Sequence, residues 1–140
     1  MELERSQCEK YRKFATERLQ NDYEQIIKVI NKIMDEVKEY EALLLFINKA
    51  KSLDPNQPLK MQISIGKNVF CETVIDKWDH IIVRLSDDVF AELTMKRAEE
   101  FVPKKIALLN ERVTFHENQA YSIRARIHLI LSSVKQLESL

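Results

Sequence analysis

LKMQISIGKNVFCETVI, residues 59–75, has a different period from the sequence on either side of it. Leu59, Met61, Ile63 and Ile65 alternate with Lys60, Gln62 and Ser64. Successive side chains of an extended chain point to opposite faces, so this period predicts a strand with one buried apolar face. Gly66-Lys67-Asn68 supplies turn chemistry, and Gly66, the only glycine in the chain, is expected at positive φ. Val69 to Ile75 then reads as the return strand, rich in β-branched and aromatic residues. A polar link, Asp76-Lys77-Trp78-Asp79, leads to a second hairpin, with His80 to Leu85 and Val89 to Leu93 flanking Ser86-Asp87-Asp88.

The period changes upstream. Asp54-Pro55-Asn56-Gln57-Pro58 stops a helix, because proline has no N–H and disfavours helix at the residue before it. Residues 1–53 lack both Gly and Pro. From Leu19 onward, apolar residues recur at steps of four and three: Tyr23, Ile26, Ile30, Ile33, Val37, Tyr40, Leu44, Ile47. Such a heptad keeps one stripe facing a partner helix as the two supercoil. Cys8, Tyr11 and Ala15 continue it to Leu19 through a stutter, where the winding changes locally. A helix of this length extends roughly 70 Å and needs another of similar length to cover its stripe.

Downstream the same rhythm returns in Val102, Ile106, Leu109, Val113, His116, Ala120, Ile123, Ile127, Ile130, Val134 and Leu137. Thr94 is placed to cap this helix, since its hydroxyl can accept a free backbone N–H. Pro103 removes one helical hydrogen bond and is expected to kink the helix near its start. The fold class is therefore α+β: a long antiparallel coiled-coil hairpin of helices with two β-hairpins between them. We read one domain over residues 1–140, with the first helix at 1–53, the hairpins at 59–93 and the second helix at 95–139.

Composition narrows the function. Lys+Arg and Asp+Glu are both 22, so nothing global attracts the chain to nucleic acid or an anionic membrane. The N-terminus is charged, and the longest apolar run, Ala42 to Ile47, is far short of the ~20 residues that span a bilayer. These features predict a soluble protein of the cytoplasm or nucleus. Cys8 and Cys71 fit no metal or disulfide spacing, and His80, His116 and His128 fall at no metal-ligand spacing. With no phosphate loop either, neither an enzyme nor a cofactor is expected. Asp87 and Asp88 read as turn formers, and Trp78 as a cover over the sheet's edge or the helix roots, or as an interface anchor.

Two-stranded hairpins are marginal alone, and their edges are open to pairing with other chains. Met61, Ile63, Ile65, Val69, Phe70, Ile81, Val83, Leu85, Val89, Phe90 and Leu93 are therefore expected to form subunit-assembly strands. His116, a polar residue within the seam, is expected to fix register. Tyr11, Phe14, Leu129 and Leu131 lie toward the far end of the arms and are candidate contacts for other proteins.

The chain resembles the prefoldin family, α class. The likeness is carried by Met61-Gln62-Ile63-Ser64-Ile65-Gly66 with Asn68, Phe70, Thr73 and Val74, and by Ala91-Glu92-Leu93-Thr94. The run from Ile123-Arg124-Ala125-Arg126-Ile127-His128 to Leu131, followed by Leu137-Glu138, adds to it. The turn at Ser86-Asp87-Asp88 departs from the family in lacking a glycine. The resemblance implies a subunit of a hetero-hexamer of α- and β-class prefoldin or prefoldin-like chains, one that holds unfolded or unassembled clients. For a prefoldin-like member it further implies the R2TP-associated module and a link to transcription regulators. The alternative is a coiled-coil adaptor or transcription cofactor working through protein contacts alone.

Overall fold

A heptad drives each helix to bury one stripe, and the computed structural model, which describes residues 2–140, shows where each stripe goes. Helix α1 spans Glu2–Lys13, a π-helical stretch spans Phe14–Leu19, and α2 spans Gln20–Lys51. Strands β1 (Leu59–Gly66), β2 (Val69–Ile75), β3 (His80–Ser86) and β4 (Val89–Thr94) follow, then α3 (Met95–Glu138). The order is helix, hairpin, hairpin, helix. The chain divides into two compact units, one of residues 1–38 with 107–140, the other of residues 39–106.

In the first unit α1 and the first part of α2 lie antiparallel to α3. The Arg12 guanidinium donates to both carboxylate oxygens of Glu138 at 2.5 Å, and Gln20 and Tyr23 lie across a cleft from Ile127 and Leu131. Ala15, Leu19, Ile30, Ile33, Val37, Leu109, Val113, Ala120 and Val134 are buried, while Tyr23, Ile26, Ile123, Ile127 and Ile130 are half-buried. His116 sits half-buried in this row, with Nδ1 3.1 Å from Gln119 Oε1 and its ring edge-on to Phe115.

The stutter takes the form of the π-helical stretch. Ala15, Leu19 and Tyr23 are spaced by four residues, more than an α-helical turn holds. A π turn closes its hydrogen bonds five residues apart, so it holds more residues and keeps these side chains in line. Thr16 Oγ1 donates to the Arg12 carbonyl at 2.8 Å, a side-chain bond that competes with the α-helical pattern here. The sequence placed Tyr11 on the stripe, but it turns outward and is 59% exposed; the stripe passes directly from buried Cys8 to Ala15.

The second unit holds the end of α2, both hairpins and the start of α3. Helix α2 ends at Lys51, where Ser52 N and Leu53 N bond the carbonyls of Lys49 and Ala50 at 3.2 and 3.1 Å. Asp54 Oδ1 then accepts from Asn56 N at 3.0 Å and tightens the following turn. Helix α3 begins with Thr94 Oγ1 accepting from Arg97 N at 3.2 Å, an N-cap bond, and runs unbroken through exposed Pro103. An ion pair of Lys51 Nζ and Glu99 joins the two helices in this unit. Its core is Ile47, Ala50, Val83, Ala98 and Val102, all almost fully buried.

The strands form two separate antiparallel pairs, β1–β2 and β3–β4. Their ends are built alike. Ser64 pairs with Phe70 and Gly66 with Val69; Arg84 pairs with Phe90 and Ser86 with Val89. Ile65 and Leu85 are therefore the extra residues of two equivalent bulges, and each bulge precedes a two-residue turn. The sequence repeats with the geometry, Val69-Phe70-Cys71-Glu72 answering Val89-Phe90-Ala91-Glu92. The turns themselves differ. Gly66, Lys67 and Asn68 have φ of 114°, 43° and 61°, the left-handed backbone that glycine and asparagine tolerate best. Asp87 and Asp88 are not at positive φ.

Candidate assembly surface on the two hairpins

Directly paired residues of an antiparallel ladder share a face, so the register assigns every side chain. In the second hairpin one face carries Ile81, Val83, Ala91 and Leu93, all buried or half-buried within this chain. Tyr40 Oη donates to the Arg84 carbonyl at 2.5 Å, tying α2 to β3. The other face carries Ile82 and Phe90, which are 73% and 60% exposed, with Arg84 and Glu92. The Arg84 guanidinium reaches Asp87 at 3.1 Å.

In the first hairpin, Leu59, Met61, Thr73 and Ile75 share one face and are half-buried near its base. Further out the cover ends: Ile63 on this face and Ile65 at the bulge are exposed. The opposite face shows Phe70 (63% exposed) and Val74. The buried face that the alternation of β1 predicts is thus supplied by this chain only at the base.

The strand residues singled out from the sequence therefore separate. Ile63, Ile65, Val69, Phe70, Val89 and Phe90 are exposed; Met61, Ile81, Leu85 and Leu93 are half-buried; Val83, 1% exposed, already belongs to the core of its own unit. Ile82 and Val74 join the exposed set without having been singled out. For Ile82 the signal was available: Ile81-Ile82-Val83 has no polar interruption, as in a strand with apolar groups on both faces. Exposed apolar groups at this density on two short hairpins make this surface the candidate for contact with other chains.

The link between the hairpins borders a cleft of about 630 Å³, lined by Ala50, Leu53, Pro55, Trp78 and Met95 among others. Trp78 Nε1 donates to the Gln57 carbonyl at 3.0 Å, and its ring is half-buried. A hydrogen bond from His80, with Nδ1 3.2 Å from Asp79 Oδ1, holds the Asp79 carboxyl below its ordinary range. A carboxylate with a lowered folded-state pKa stabilises above its ordinary range, and that contribution lapses as the pH falls through the lowered value. Among the described residues no group of His, Cys, Asp or Glu is arranged to hold a metal ion. No helix among them is long and apolar enough to cross a membrane.

The family model described as "Prefoldin subunit" matches residues 19–138, which include both hairpins and nearly all of the helical seam. The chain belongs to the prefoldin family. Among its prefoldin relatives, protein UXT of Homo sapiens is 28% identical over 131 residues, covering 94% of this chain and 83% of that one. The UXT homolog of Nematostella vectensis is also 28% identical, over 132 residues, with the same coverage. Prefoldin subunit alpha of Thermofilum pendens is 23% identical over 128 residues, 86% of this chain and 98% of that one. A chain from the cryo-EM structure of filamentous PFD from Methanocaldococcus jannaschii superposes with a TM-score of 0.67. That match covers 85% of this chain and 97% of the other at 17% identity, and it shows the prefoldin fold.

Proposed function

We propose that this chain is an α-class subunit of a prefoldin or prefoldin-like hetero-oligomer that holds unfolded or unassembled client proteins without catalysis. The observation that carries the reading is the pair of equivalent hairpins whose outward residues, Ile65, Phe70, Ile82 and Phe90, stay exposed in the single chain. Two short ladders with uncovered apolar faces are half of a sheet structure, and other prefoldin-type subunits supply the matching half. The likeness to UXT proteins supports a place in the R2TP-associated prefoldin-like module over ordinary prefoldin. Such a subunit works in the cytoplasm or nucleus.

Client holding places weak contacts on several arms and gains affinity from their number. Tyr11, Phe14 and Leu129 are exposed apolar groups of the first unit suited to such contacts, and Leu131 is half-buried. The test is aggregation of a chemically unfolded protein, followed by light scattering, in the presence of this chain alone or assembled with β-class subunits. The assembled species should suppress aggregation at near-stoichiometric amounts without nucleotide, and the free chain should suppress it much less. Equal suppression by both would remove the argument from multiple arms. No suppression by either, with contacts to regulators intact, would favour the adaptor reading.

A further inference from the structure

We propose that the cleft between α2 and α3 at Tyr23 and Ile127 binds a bulky apolar side chain presented by an acidic peptide segment. This deepens the client-holding reading, on which it rests, by naming the chemistry of a segment that is held.

The cleft has a structural origin. It opens where α2 begins, directly after the π-helical stretch Phe14–Leu19. The π stretch realigns the stripe, but a local change of winding still alters how knobs meet the facing holes beyond it. The seam is looser here: Leu19 and Val134 are buried on one side of the cleft and Ile30 and Ala120 on the other, whereas Tyr23, Ile26, Ile123, Ile127 and Ile130 between them are half-buried. The resulting space is about 460 Å³, lined by Tyr23, Ile127 and Leu131 with Gln20, Arg124 and His128 at its polar margin. The recess is an open groove, so it suits one side chain of a bound segment rather than an enclosed small molecule.

Charge selects the occupant. Residues 118–137 contain Arg124, Arg126 and Lys135 and no Asp or Glu. Arg124 is exposed and has no ion-pair partner among the described residues. The nearby acid Glu24 accepts a hydrogen bond from Gln20 Nε2 at 3.4 Å. A guanidinium beside an apolar recess matches a carboxylate next to a large apolar side chain, because its fork binds both carboxylate oxygens. A nucleic acid or anionic bilayer fits less well, since an extended polyanion would run along facing segments of mixed charge that include Glu17, Asp22 and Glu24 beside Arg18, whereas a short peptide needs to meet only Arg124 and the recess.

The test uses the full chain and fluorescence anisotropy. The probe is a short labelled peptide with one Trp flanked by Glu and Asp. Two controls carry Ser in place of Trp, or Lys in place of the acids. The parent peptide should bind about tenfold tighter than either control and weaken as salt rises. Arg124→Glu should weaken it about tenfold. Lys38→Glu, an equal charge change at an exposed site outside the cleft, should leave it unchanged. Leu131→Asn should also weaken it, with far-UV circular dichroism confirming that each variant folds.

Aggregation suppression by the assembled complex is measured alongside. Suppression without peptide preference overturns the cleft and leaves the client-holding reading intact. Arg124-dependent peptide binding without suppression supports the cleft and overturns that reading. Preference for phosphatidylserine vesicles or single-stranded RNA over the acidic peptide overturns the cleft as well.

Discussion

Phe70→Glu combined with Phe90→Glu should leave the isolated chain folded and abolish its assembly with β-class subunits. Both rings are largely exposed, so replacing them removes little buried apolar surface from the single chain. The carboxylate introduced by Phe90→Glu would also face Arg84, the cross-strand neighbour of Phe90, and opposite charges there are favourable. In the proposed assembly the same positions would be buried. Loss of an aromatic anchor at an interface costs about 2 kcal/mol or more, and an unpaired carboxylate in its place costs more still. Two such losses, even combining imperfectly, reach about 4 kcal/mol, or roughly a thousandfold in Kd. Sedimentation of the variant mixed with its partners should show separate species, with unchanged circular dichroism for the variant alone. Assembly at wild-type affinity would mean that these hairpin faces are not the contact surface.

Val83→Asp should act on the chain itself. Val83 is 1% exposed, in a unit whose core is small: Ile47, Ala50, Ala98 and Val102 are its other most buried residues. A carboxylate there must either remain charged away from water or take up a proton, and either costs several kcal/mol. Val83→Ala loses only part of a side-chain burial worth about 1.5–3 kcal/mol. The Asp variant should therefore melt the second unit well below the wild-type temperature, with the Ala variant between them. The deficit should shrink on acidification, because a buried carboxyl favours its protonated form more strongly than the unfolded chain does. Trp78 is the only tryptophan and lies in this unit, so its emission reports the event directly. A red shift is expected at temperatures where helical circular dichroism largely persists, because the first unit has its own buried seam. An unchanged melting temperature would contradict the burial of Val83.

The contrast between these two substitutions shows what the sequence could and could not reveal. Both helices were legible, because steps of three and four can only be satisfied by a stripe. The helix stop at residues 54–58, the Thr94 cap and the positive φ of Gly66 were legible from single residues with specific backbone chemistry. The strand faces were harder to read. Alternation in β1 identifies an apolar face but not the chain that covers it, and Ile63 proves exposed where Met61 is half-buried. In β3, apolar residues on both faces cancel the alternation, so Val83 in the core and Ile82 in solvent read alike. The bulges at Ile65 and Leu85 are set by ladder register, which local pattern leaves open. Their equivalence could be found only by comparing the two hairpins with each other. The stutter was visible at residues 8–19. Its consequences, Tyr11 turned outward and a cleft at Tyr23, depend on how the winding change is distributed.

The most direct test of the central claim, that this chain is built to assemble through its hairpins, is its mass by light scattering, alone and after mixing with β-class prefoldin subunits. Assembly predicts a shift to a hexameric species containing one or two copies of this chain, a shift lost in the Phe70→Glu, Phe90→Glu variant. A well-folded chain whose mass stays at 16.6 kDa in every mixture would contradict it.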